Sequence, residues 1–217
     1  MLFKISYIVY YSSLLFAATC CVYRYKILDN ASKVMAILIC CGFLNELAAY
    51  YLSKVYHNNL ALFAIYCFLE FGLTCFYFNK VIDVFIEKNI GFYIMTIGIV
   101  FGILNLIFLQ HIDSINFYFL FFEGLTIIGM SLFAFFRFLL KQENLDLYKY
   151  PHFWFISILI FFWSITFLFW GLYDYVNQQF KAIATPFNFI LPAAGIITYI
   201  AHGVVFLLYP KMKTTNE

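Results

Sequence analysis

Apolar residues run through this chain in seven long blocks. They lie near Leu2–Val22, Val34–Leu52, Leu60–Phe78, Ile90–Leu109, Phe117–Leu140, Phe153–Tyr173 and Phe189–Tyr209. Each block is about 20 residues, enough to cross a hydrocarbon core of about 30 Å as a helix. The gaps collect polar and turn residues: Asp29-Asn30, His57-Asn58-Asn59, Asn79-Lys80, Asp113-Ser114, Glu143-Asn144 and Asn177-Gln178. Such clusters mark loops. The pattern predicts an all-α polytopic membrane bundle, a single domain over residues 1–217 with seven transmembrane helices. The gaps do not exceed about 15 residues, which leaves no room for a soluble catalytic domain.

Basic residues give the blocks a direction. The first, third and fifth connections and the C-terminal tail hold Arg24, Lys26, Lys33, Lys80, Lys88, Arg137, Lys141, Lys149, Lys211 and Lys213. The N-terminus and the even connections hold only Lys4, Lys54 and Lys181. Cytoplasmic loops are the ones enriched in Lys and Arg. The expectation is an outside N-terminus, a cytoplasmic C-terminus and a multi-pass protein of a bacterial inner membrane. The first block is read as a span and not as a cleaved leader. Ala17-Ala18-Thr19-Cys20 faintly resembles a lipoprotein box, but the stronger positive cluster, Arg24 and Lys26, follows the apolar run.

Composition agrees with the pattern. Of 217 residues, 65% are hydrophobic and 11% charged, against about half and a quarter in a globular domain. The 30 Phe and 18 Tyr supply lipid-facing bulk and interfacial anchors. A net charge of +2 gives no ground for nucleic-acid binding.

Against this background three glutamates stand out: Glu46, Glu70 and Glu123 each lie inside an apolar block. A carboxylate at bilayer depth costs several kcal/mol unless it is paired, protonated or watered. With the expected topology, Glu46 and Glu123 fall in the outer half and Glu70 near the midplane. Asn45, Asn105 and Tyr50 sit at similar depth. Tyr50 lies four residues after Glu46, Tyr66 and Thr74 four either side of Glu70, and Thr126 three after Glu123. Those spacings share a helix face and offer hydroxyl donors to the carboxyls. No basic residue matches that depth, so at least one glutamate is expected to be protonated at neutral pH. The cluster therefore reads as a ligand, cation or proton site, or as hydrogen-bonded glue between helices.

His202 in the seventh block joins the candidate residues, with packing as its alternative. His57, His111 and His152 fall in connections and read as surface residues. No HxxxH spacing is present, which speaks against the zinc site of seven-helix membrane hydrolases. The seventh block has no lysine for a retinal Schiff base. Cys20, Cys21, Cys40, Cys41, Cys67 and Cys75 all lie at membrane depth and read as small apolar packers. No metal, cofactor or catalytic residue is expected. Gly98 and Gly102 form a GxxxG pair in the fourth block, for packing within the bundle or for a homodimer. Pro192 inside the seventh block, with Pro186 before it, is expected to kink that helix.

The stretches 58–66, 69–71, 122–124 and 151–155 resemble an uncharacterised seven-helix membrane protein family common in Bacteroidetes. Asn58-Asn59-Leu60-Ala61-Leu62-Phe63-Ala64-Ile65-Tyr66 followed by Leu69-Glu70-Phe71 is similar to its third helix. Phe122-Glu123-Gly124 resembles its second recurring glutamate, and Pro151-His152-Phe153-Trp154-Phe155 its sixth-helix opening. The resemblance covers about residues 24 to 173 and implies an architecture and a bacterial inner membrane, with no established activity. The seventh block, with Pro192 and His202, departs from it.

The expected function is a sensor or receptor with an outward-facing polar cavity. It would bind a small-molecule or lipid ligand and signal to a cytoplasmic protein partner. One alternative is an accessory or effector membrane protein of a larger system, such as CRISPR-associated defence or membrane permeabilisation. Another is an intramembrane enzyme or proton-coupled carrier using the glutamates.

Overall fold

The computed structural model describes residues 2–110, 114–140, 147–180 and 187–212, except the side chains of 2–5, 174 and 177. Expectations resting on His111, Asp113, Lys141, Glu143-Asn144, Lys181, Pro186, Lys213 and the side chain of Lys4 lie outside the described residues. The helices are α1 (Leu2–Arg24), α2 (Asn30–Val55), α3 (Leu60–Val81), α4 (Asp83–Lys88), α5 (Ile90–Phe108), α6 (Phe117–Leu140), α7 (Pro151–Gln179) and α8 (Ile190–Leu208). Among the described residues there is no strand. All of these helices except the short α4 provide segments long and apolar enough to cross a membrane.

Local chemistry explains where the helices depart from the expected blocks. α2 starts a turn early because the Asp29 carboxylate accepts from the Ser32 N–H at 2.6 Å, which satisfies one of the first-turn donors. α7 opens on Pro151, whose fixed φ suits a first turn. It continues past Tyr173 because no proline or glycine follows Gly171 before it ends. α4 was not expected; Asn89, at φ 52°, ends it in the left-handed region and starts α5. Asn visits that region more readily than most residues. Pro192 does not kink the middle of a helix. Phe189, a turn residue at φ −81° and ψ −15°, precedes the helix that starts at Ile190, so Pro192 sits in its first turn, where its missing N–H leaves no bond unmade.

The chain forms two compact units. One, residues 28–123, holds α2 to α5 and the opening of α6. Here α5 lies antiparallel on α3, as Gly91 meets Asn79, Gly98 meets Phe71 and Gly102 meets Phe68. A Cβ on Gly98 would fall 2.2 Å from the Phe71 ring, and one on Gly102 would fall 2.2 Å from the Phe68 ring. Gly91 also donates its N–H to Asn79 Oδ1 at 3.0 Å. Phe119 of α6 completes this core, edge-on to Phe68 at 4.8 Å and to Phe71 at 5.8 Å. The GxxxG face is thus packed by the chain's own phenylalanines.

The other unit, residues 1–27 and 124–217, holds α1, the rest of α6, α7 and α8. Tyr10 meets Gly195 and Phe16 meets Gly203; the pairs advance together, so α1 and α8 run parallel. α7 runs antiparallel to α8, with Phe155 packed on Phe206 at 5.0 Å. His152, expected at the surface, is only 5% exposed. The reason is its place in the first turn of α7, where its ring meets Tyr150 edge-on at 5.1 Å and lies 6.3 Å from Phe155.

Candidate functional site

α2, α3 and α6 each bring one glutamate into the 28–123 unit. Glu70 lies within Coulombic reach of Glu46, and Glu123 within reach of Glu70. The three carboxyls therefore form a row. Glu46 and Glu70 are half-buried, while Glu123, in the second turn of α6, has no exposed surface. Neither carboxyl oxygen of Glu123 has a hydrogen-bond partner among the described residues. Its Coulombic neighbours among the described residues are Glu70, Cys67 and Cys75, not a lysine or arginine. Among the described residues no three side chains of ligating type converge on a point that would hold a metal ion.

The neighbours divide into those at the row and those elsewhere. Tyr66 reaches across from α3 to α2, where its hydroxyl lies 2.9 Å from the place a Cβ on Gly42 would occupy. Gly42 is one helical turn from Glu46, so the absence of a side chain there admits the phenol beside the row. Asn45 is half-buried and its Oδ1 has no partner. Tyr50 is 57% exposed, with the Lys54 ammonium 5.7 Å from its ring centroid. Thr74 does not donate to Glu70 as its spacing suggested. Its side chain is fully enclosed and its hydroxyl is unpartnered.

Asn105 plays a different part. Its Nδ2 donates to Asn116 Oδ1 and to Gln110 Oε1, the latter at 3.0 Å. Gln110 Oε1 also accepts from the Tyr118 N–H at 3.3 Å. The set clasps the end of α5 to the start of α6 and so fixes the turn that carries Glu123. Asn105→Ala is expected to cost about 1–3 kcal/mol, the usual effect of orphaning buried partners. Hydrogen exchange at the Tyr118 amide checks it, and unchanged protection would show that the clasp is not what holds the turn.

His202 belongs to the other unit. Its Nδ1 is 2.9 Å from the Thr198 carbonyl oxygen and its ring stacks on Phe155 at 6.0 Å. It is 3% exposed and Nε2 has no partner. Cys67 and Cys75, read from sequence as packers, are buried as such and also flank Glu123. Cys67 precedes Glu70 by three residues, a spacing that places it on the glutamate's side of the helix. Comparison with protein-family profiles, with curated proteins and with solved structures gives no match for this chain.

Proposed function

We propose that the protein is a membrane-embedded sensor that takes up protons along the Glu46–Glu70–Glu123 row. The observation that carries this reading is Glu123: a carboxyl with no exposed surface and two oxygens unpartnered among the described residues, at the most buried end of a row whose other members are not fully enclosed. Burial of that kind is expensive at bilayer depth and marks a functional group by default. A proton needs neither a cavity nor a converging ligand cage, and it can pass between carboxyls through a phenol or a thiol, of which Tyr66 and Cys67 are at hand. Proton occupancy changes the repulsion among the three groups and so the packing of α2, α3 and α6. The basic connections offer the surface on which a cytoplasmic partner would read that change.

The same reading places the chain in a bacterial inner membrane with its N-terminus outside. The charge bias of the connections supports that orientation, and the parallel course of α1 and α8 accords with first and last spans crossing the same way. A reporter fused after residue 217 should behave as cytoplasmic, and a periplasmic signal would overturn the orientation. Infrared difference spectra of the protein in nanodiscs, taken across a pH series, test the proton site. The carbonyl stretch of a protonated acid should appear as pH falls, and Glu123→Gln and Glu70→Gln should each alter it. Spectra that superimpose for wild type and both variants would sink the proposal. Sustained proton flux in proteoliposomes would identify a carrier in place of a sensor.

A further inference from the structure

Between α7 and α8 runs an open groove of about 500 Å³, lined chiefly by Trp154, Phe161, Ala201, Val204 and Leu208. Because the helices are antiparallel, Tyr148 and Met212 mark one end of it, and Phe161 and Ile197 the other. From Ile197 to Met212 is about 20 Å at 1.5 Å per residue, enough to span one leaflet's hydrocarbon, half of a core of about 30 Å.

Among the described residues, the lysines and arginine that adjoin the groove lie at one end. Lys149 and Lys211, both exposed, adjoin the groove residues Tyr148 and Met212. Arg24 donates to the Leu207 carbonyl at 3.5 Å, one residue before the groove residue Leu208. α7 and α8 themselves carry no lysine or arginine. An apolar channel of leaflet length with three cations at its mouth matches one occupant: a single anionic phospholipid. The cations disfavour a second copy of this chain, which would bring like charges together.

We infer that the α7–α8 groove binds one anionic phospholipid, with an acyl chain along Trp154, Ala201 and Val204 and the phosphate against Lys149, Lys211 and Arg24. The Trp154 indole, held by donating to the Tyr148 carbonyl at 2.9 Å, sits near the mouth as interfacial tryptophans do. The site lies in a different unit from the carboxyl row and does not depend on it.

The test uses delipidated full-length protein in detergent, titrated with phosphatidylglycerol or with phosphatidylcholine of identical chains, and read by native mass spectrometry. Phosphatidylglycerol should bind more tightly. Each of Lys149→Gln and Lys211→Gln should lower that preference about fivefold, as expected of one basic residue at an anionic headgroup. Lys54→Gln, a surface charge in the other unit, should leave it unchanged. Val204→Trp should fill the groove and abolish binding of both lipids. Val204 is 42% exposed, so the bulk is tolerated. Ala201→Leu provides a second, smaller obstruction, with a matched thermal melt as the folding control. Equal affinity for the two lipids, undiminished binding in a folded Val204→Trp protein, or an equal loss in Lys54→Gln would each overturn the site.

Discussion

Alanine at Gly98 or Gly102 will destabilise the protein by about 1–3 kcal/mol each, the usual cost of overpacking a filled core. The added methyl at Gly98 meets Phe71 ring carbons at 2.2 and 2.5 Å and Phe122 at 3.0 Å. At Gly102 it meets Phe68 at 2.2 Å and Phe119 at 2.7 and 2.9 Å. None of these rings is a free end that can swing away: Phe71 and Phe119 have no exposed surface, and ring contacts link Phe68 to Phe119, Phe119 to Phe71 and Phe71 to Phe122. Relief therefore requires α5 to move off α3, which exposes the row of contacts down to Gly91 and Asn79. The gain in helix propensity, about 1 kcal/mol per Gly→Ala, offsets only part of this. The two effects will not add, because both press on the same ring cluster. Thermal unfolding in micelles reads the loss, and light scattering reads the assembly state. If alanine instead dissociated a dimer while the melting temperature held, the glycines would serve an interface between copies, and the packing described here would be wrong.

The positions of the spans were legible because lipid imposes a plain rule: backbone groups must bond within a helix, so apolar runs of fixed length become helices. What the pattern could not show was which face of each helix meets another. Lipid and protein interior are equally apolar, so Ile97 at 64% exposed and Ile127 at 0% differ in nothing that hydropathy records. Glycine was the informative letter. Gly42, Gly91, Gly98, Gly102, Gly195 and Gly203 each mark a place where another residue presses within 3.0 Å of a would-be Cβ. The glutamates were legible as anomalies, and their row was not, since the pairing of Glu46 with Glu70 and of Glu70 with Glu123 depends on helix rotation. Asn105 looked like a member of the same polar set because depth alone groups it with them. Its bonds to Asn116 and Gln110 reveal a turn-fixing role that only the return of the chain into α6 creates. His152 misled for the converse reason: a residue beside a loop reads as exposed until the first turn of α7 folds it against Tyr150.

Glu123→Met is expected to stabilise the folded protein by about 1–3 kcal/mol, the penalty carried by a buried polar group without partners. Methionine has nearly the same length and adapts to irregular space, so the wall formed with Cys67 and Cys75 should close over it. Glutamine is the contrasting variant. It keeps the shape but retains a carbonyl and gains two donors, none with a partner in place, so little or no stability is recovered. If the glutamate served as glue between helices, the order would invert, with methionine losing stability and glutamine retaining part of it. Thermal unfolding of wild type, Glu123→Met and Glu123→Gln under one condition separates the two. The functional consequence runs the other way, because Glu123→Met removes the end of the row and with it the proton-dependent infrared signal. Stability gained where response is lost is the expected mark of a group kept for function, and Glu70→Gln, on a residue less enclosed than Glu123, should show the loss of response with less of the gain.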